Sequence, residues 1–230
     1  MARVDAVAGA DTALRAGSRS GLRLAAWAGI AGPALFTFTF LAQETVRRDF
    51  EPLRLPVSAL ETGPYGWVQQ INFVVLGVLT IVFAIGIHAG LRTTPRGIGG
   101  PILFAVSGLA ALAAAAFPLR LNEAGQVYDP GGHSIAGFTF FLTSALALVV
   151  VSRRVAADPA WSSLAGWTLA AGIAGLVGFV LMGSLVIPDD APLHDWAGLG
   201  QRAIVLLVLF PARVALSIRL LGVGRSRVRD

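Results

Sequence analysis

Six long apolar stretches constrain the fold of this chain more than any other feature. A helix that crosses the hydrocarbon core of a bilayer needs roughly 20 mostly apolar residues. Stretches of this kind lie at 24–42, 67–91, 101–119, 133–152, 164–187 and 197–221. Only 13% of the residues are charged and 55% are hydrophobic, whereas soluble domains carry about 25% charged residues. The sequence therefore predicts an all-α, multi-pass bundle of six transmembrane helices in the plasma membrane.

The distribution of arginine predicts the orientation of the bundle. Basic residues near span ends are in excess on the cytoplasmic side of a membrane protein. If both termini share one side, that side holds 12 of the 18 basic residues and the other side holds four. We therefore expect both termini to be cytoplasmic. Around the transmembrane domain at 24–221, we expect a disordered tail over residues 1–23 and a basic tail over 222–230.

Composition and motif content exclude several classes of function. The chain has no cysteine, which excludes disulfides, iron–sulfur clusters and thiolate nucleophiles. The pI of about 11.1 does not indicate nucleic-acid binding, because the arginines lie at span ends rather than in one patch. Nucleotide-binding and hydrolase motifs do not occur, so we expect no cofactor. Arginine without lysine, with abundant alanine and glycine, is typical of a bacterial protein.

Polar residues concentrate at the outer ends of the second, fourth and sixth predicted spans. Ionisable and amide groups within a span are costly and indicate a functional site by default. The predicted ligand-binding site consists of Arg202, Gln201, Gln69, Asn72, His133, Glu61 and Asp195. We expect Arg202 to be its centre, with Glu61 as first acceptor, Gln69 or Asn72 as second and Asp195 as third. The alternative is that each group reaches interfacial water separately, as we expect of Arg213 at the inner end.

The first outer connector, residues 43–66, contains three prolines and seven charged side chains. This connector is too polar to cross the membrane and is long enough to fold back over the bundle. We predict that residues 57–60 pack down as a lid over the outer pocket.

Other polar residues, and the small residues of the spans, are compatible with several sites and contacts. His133 and His194 could hold a divalent metal with Asp129 or Asp195, although the ligand spacing of known zinc motifs is missing. A dyad of His88 with Ser107 is a further alternative to an ordinary buried hydrogen bond. Small residues spaced four apart, such as those at 86 and 90, favour close helix packing within one bundle or between two copies.

Several short motifs resemble a known family. They are the run from Ser58 to Trp67, the pairs Asn72–Phe73 and Phe117–Pro118, His133 at the start of a span, and the run from Gly198 to Arg202. Together they resemble the bacterial six-helix membrane family known as domain of unknown function 998, over roughly residues 24–221. The resemblance implies the architecture and no activity.

We expect a non-enzymatic membrane protein whose outer pocket binds a lipid headgroup or small amphiphile. One alternative is a lipid-active enzyme with His133 as general base and Glu61 or Asp195 as its partner. The other is a structural or assembly subunit. The expected partner is membrane lipid, with a second copy or another membrane protein as alternatives, and no nucleic acid.

Overall fold

The structure, a computed structural model, describes residues 2–91, 97–188 and 190–226, and the side chains of 19–91, 97–188 and 190–223. It is built from seven α-helices and one β-hairpin. They are α1 (Ala2–Val46), α2 (Gly66–Gly90), α3 (Gly99–Ala116), β1 (Arg120–Leu121), β2 (Val127–Tyr128), α4 (His133–Ala157), α5 (Ala165–Leu185), α6 (Ala197–Ala203) and α7 (Phe210–Ser226). A 3-10 helix at Val57–Glu61 lies between α1 and α2.

Six helical stretches are long and apolar enough to cross a membrane. They cover 19–46, 66–90, 99–116, 133–157, 162–185 and 194–223. The predicted fold of six spans is thereby confirmed, with helix ends that differ from the predicted ones by only a few residues. Which side of the membrane each end faces stays a prediction.

The first helix extends past the predicted span at both ends, since α1 begins at Ala2 and ends at Val46. The division into a transmembrane domain and two tails stays a prediction. Alanine is the strongest helix former, and a helix that extends from an existing span needs no new nucleus. At the other end, α7 continues to Ser226 within the predicted basic tail, and residues 227–230 lie outside the described part of the chain.

The helices pack mainly against their neighbours in sequence, and α1 also packs against α7. Small residues allow the closest approaches. A methyl group at Gly86 would lie 2.2 Å from the Ala25 Cβ, and one at Gly90 would lie 2.4 Å from Leu220 Cδ1. This glycine pair therefore serves contacts within the chain, as close backbone approach in lipid requires.

The sixth span changes helix type along its length. It begins with α6, continues as a π-helix over Ile204–Leu209 and ends with α7. Pro211, the second residue of α7, has no N–H to donate to the preceding turn. Local π-helical turns accommodate such a loss and occur often at functional sites.

Two apolar clusters fill the bundle. The first lies near the end that carries the chain termini and includes Phe83, Leu148, Trp161 and Leu220. The second includes Phe36, Phe40 and Leu76 from the helices, together with Leu60 from the 3-10 helix. We call the end of the bundle with the second cluster, the segment 47–65 and the β-hairpin the connector end.

Candidate functional site

A cavity of about 1240 Å³ lies at the connector end and is lined by residues from all six spans, the segment 51–58 and the β-hairpin. Eight phenylalanines line it: Phe36, Phe40, Phe73, Phe138, Phe140, Phe141, Phe179 and Phe210. Two of its lining residues, Phe138 on α4 and Val180 on α5, are 57% and 62% exposed although they lie within spans. The cavity therefore reaches the surface that faces the membrane.

Three of the seven predicted site residues line this cavity and four do not. Arg202, Gln201 and His133 belong to its wall. The others lie elsewhere: Gln69, Asn72 and Glu61 are buried between elements, and Asp195 is an exposed partner of Arg54 at 3.4 Å.

Arg202 is bound within the protein by an acceptor that the sequence analysis missed. Its Nε and Nη2 both donate to Oε1 of Glu44, and both side chains are only 10% exposed. Its Nη1 donates to the carbonyl oxygens of Leu55 at 3.0 Å and Gly198 at 2.8 Å. The prediction of Glu61, Gln69, Asn72 or Asp195 as the acceptor was wrong. Glu44 was missed because α1 continues one turn past the predicted span.

The same arginine helps to fasten the connector over the cavity, as the sequence predicted. All five residues of the 3-10 helix are buried, and the backbone N–H of Val57 donates to Oε1 of Gln201 at 2.7 Å. The N–H of Gly198 donates to the Arg54 carbonyl at 3.1 Å. A side chain at Gly198 would meet the Pro52 carbonyl oxygen at 2.3 Å. Only glycine therefore permits this contact between connector and span.

His133 and Glu61 form a buried pair beside the cavity. Nδ1 of His133 lies 3.1 Å from Oε2 of Glu61 and 3.1 Å from the Phe117 carbonyl oxygen. Burial raises the pKa of the Glu61 carboxyl to about 8, although the N–H of Leu119 donates to it and favours the charged form. The carboxyl group of Glu61 is thus buried against the imidazole ring of His133. No described residue bonds Nε2 of His133, whose ring lies in the cavity wall.

Asp129 fixes the start of α4 and hence the position of His133. Its carboxylate accepts the N–H groups of Gly131 at 2.8 Å, His133 at 3.3 Å and Ser134 at 2.7 Å. Desolvation raises the pKa of Asp129, but these hydrogen bonds outweigh it and lower the pKa to about 2. Asp129 thus satisfies the free N–H groups of the first helical turn.

Gln69 and Asn72 hold α1 against α2 rather than facing a ligand. Oε1 of Gln69 accepts hydrogen bonds from Gln43 Nε2 at 2.9 Å and from Asn72 Nδ2 at 3.2 Å. Asn72 also donates to the Phe36 carbonyl at 3.1 Å. Gln43, like Glu44, lies in the last turn of α1, where the sequence predicts the connector.

The metal site and the Ser107–His88 dyad, which the sequence leaves open as alternatives, are not formed among the described residues, and the predicted surface position of Arg213 is wrong. Among the described residues, no three His, Asp or Glu side chains gather closely enough to hold a metal ion. The Ser107 hydroxyl donates to the Phe104 carbonyl at 2.8 Å instead of pairing with His88. Arg213 does not reach the inner interface: it is 4% exposed and donates to Thr80 Oγ1 at 2.6 Å.

Comparison with known proteins identifies a family but no characterised relative. No curated protein and no solved structure matches the chain. A family described as protein of unknown function (DUF998) matches residues 30–217, which include all the cavity-lining residues. With six apolar helices long enough to span a membrane and a match over most of its length, the chain is a multi-pass membrane protein of the DUF998 family.

Proposed function

We propose that the protein binds a membrane amphiphile in the cavity at the connector end. The observation that carries this proposal is that the cavity wall includes exposed residues both within the spans and in the connector and loops. Phe138 and Val180 connect it to the membrane-facing surface, while Glu51, Arg54 and Ser134 connect it to the exposed connector and loop surface. A molecule with an apolar chain and a polar headgroup matches both environments.

The aromatic lining of the cavity is suited to the apolar chain of such a ligand. Aromatic rings contribute large apolar areas and pack edge to face, as Phe138 and Phe179 do across α4 and α5 at 4.7 Å. Phe36 and Phe210 pack similarly at 5.9 Å across α1 and α7. A cavity walled by such pairs favours hydrocarbon over water.

The charges near the cavity favour a headgroup that is neutral or zwitterionic. Arg202 is neutralised by Glu44, so it does not supply an unpaired positive charge to an anionic ligand. Arg54 and Asp195 present both signs 3.4 Å apart at the exposed edge. Gln201 and Ser58 add neutral hydrogen-bonding groups to the wall.

Native mass spectrometry of the protein purified in mild detergent, without added lipid, tests this proposal. We expect the wild type to retain an amphiphile, and the variant Gly137→Trp/Gly183→Trp to lose it. Both glycines line the cavity, and a Cβ atom added at either meets no atom within 4 Å. Gly166→Trp is the matched control, because Gly166 is equally open but lies outside the cavity. Equal retention by the cavity variant and the control would contradict the proposal.

A second candidate function is a reaction on the bound amphiphile, and the His133–Glu61 pair favours it. A carboxyl group 3.1 Å from Nδ1 orients the ring and fixes its tautomer, which leaves Nε2 as the group available for proton transfer. His133→Ala separates the two functions. If the variant retains an amphiphile of the same mass as the one bound to the wild type, the result supports binding without a reaction. A wild-type-specific product that His133→Ala fails to form would support catalysis.

A further inference from the structure

Arg213 is a buried cation for which the described part of the chain supplies no counter-charge. Its side chain lies in the sixth span and is 4% exposed. None of the described carboxylates forms an ion pair with it, since the two buried glutamates are bound to Arg202 and His133. A charge in this position is costly unless it is compensated.

The hydrogen bonds of Arg213 compensate only part of this cost. Nη1 donates to Thr80 Oγ1 at 2.6 Å and Nη2 makes a long contact of 3.4 Å to the Ala28 carbonyl. The guanidinium lies 5.2 Å from the Phe83 ring centroid, which gives a cation–π contact. Its Nε–H has no acceptor among the described residues. All these partners are neutral, so the full charge remains.

A small cavity lies beside the guanidinium. Its volume is about 20 Å³, and Arg213, Thr80, Ser107 and Ser144 are its polar lining residues. Ser144 forms no hydrogen bond to any described residue, so its hydroxyl is available as a donor. Room of this size accommodates one water-sized species and is too small for a phosphate or a carboxylate.

From this arrangement we infer that the Arg213 cavity binds a single small inorganic anion of the halide class. An anion would neutralise the guanidinium and accept hydrogen bonds from Arg213 and Ser144. A water molecule would fill the same space but would leave the charge uncompensated in a low-dielectric interior. Phe140 and Phe210 line both this cavity and the large one. The two cavities are therefore adjacent, with these two rings between them.

The test is the thermal stability of the purified protein in sodium bromide or chloride against sodium gluconate at constant ionic strength. Gluconate is too large for the cavity and serves as the reference anion. We expect the wild-type Tm to rise with the logarithm of halide concentration once that concentration exceeds the Kd of the site. Arg213→Met should remove this dependence, and Arg120→Met, which removes an exposed cation of the β-hairpin outside the cavity, should keep it. A wild-type Tm that is the same in halide and in gluconate would overturn the inference.

Two further measurements keep the inference testable if Arg213→Met does not fold. Ser144→Ala removes one donor and should raise the halide Kd obtained from the Tm dependence by at least about tenfold, because it removes a hydrogen bond to a charged group. Crystals grown in bromide should show an anomalous peak within hydrogen-bonding distance of the Arg213 guanidinium. An unchanged halide Kd in Ser144→Ala, or bromide peaks confined to the protein surface, would contradict the site.

Discussion

Loss of the Glu44 charge should destabilise the protein far more than loss of an exposed charge. In the wild type, Glu44 accepts two hydrogen bonds from Arg202, and both side chains are 10% exposed. Removing one partner of a buried pair costs about 3–5 kcal/mol, because the other charge stays buried without compensation. Glu44→Gln keeps one amide oxygen as an acceptor, so we expect the lower end, about 3 kcal/mol.

The natural control is the pair between Arg47 and Asp49 in the connector. Its atoms are 2.8 Å apart, but the Asp49 side chain is 71% exposed. Exposed pairs contribute at most about 1 kcal/mol, so Asp49→Asn should lower the free energy of unfolding by less than that. Reversible unfolding in mixed micelles measures both variants. Equal losses in Glu44→Gln and Asp49→Asn would refute the reasoning that the Glu44–Arg202 pair fastens the connector to the sixth span.

The double variant Glu44→Gln/Arg202→Met adds an internal check. It removes both charges and leaves no unpaired ion in the bundle. Because apolar replacement of a complete buried pair is often nearly neutral, we expect the double variant to be more stable than Glu44→Gln alone. A double variant that is less stable by the sum of the single effects would show that the two side chains are not coupled.

Three further predictions follow from the fold and the site. The folded-state pKa of Glu61 is raised from 4.5 to about 8, so the contribution of Glu61 to stability is full below about pH 4.5 and is lost as the pH rises from there through about 8. Glu61→Gln should flatten this fall in pH-dependent unfolding. Asp129→Asn should not, because the pKa of Asp129 is lowered to about 2, below this range. Gly86→Ala should lower the free energy of unfolding by about 1–3 kcal/mol, because the added methyl group overpacks against Ala25. Gly222→Ala adds a methyl group that meets no atom within 4 Å, so it should be neutral or stabilising in the same assay. Equal effects of the two substitutions would contradict the packing of α1 against α2. Reporter fusions test the orientation. Fusions at Ala124 and Ala191 should report the outer side of the membrane, and fusions at Ala157 and Thr94 the cytoplasmic side. Thr94 is not among the described residues.

The sequence predicts the spans and the lid well because both depend on the arrangement of apolar and polar residues along the chain. Six stretches of sufficient length leave few alternatives to six helices in a bilayer. The connector could only fold back, because its prolines and charges exclude it from the hydrocarbon. Its burial against α2 and the sixth span follows from the apolar residues at Val57 and Leu60.

The partner of Arg202 could not be predicted from hydropathy alone, because α1 continues past the end of its apolar stretch. Glu44 follows Phe36 and Phe40 at intervals of four residues, so all three lie on one face of α1. That periodicity was the available signal, and Phe40 indeed lies 5.8 Å from the Arg202 guanidinium. The separation of Gln69 and Asn72 from the cavity depends on helix rotation, which a single sequence does not fix.

The central claim is that the cavity at the connector end holds a membrane amphiphile, and a structure of the protein in lipid nanodiscs tests it most directly. We predict elongated density between the phenylalanine rings, with its apolar end toward Phe138 and Val180 and its polar end near Gln201 and Arg54. The density should be absent in Gly137→Trp/Gly183→Trp and present in Gly166→Trp. A cavity that contains only ordered water in the wild type, with lipid density confined to the outer surface of the bundle, would contradict the account.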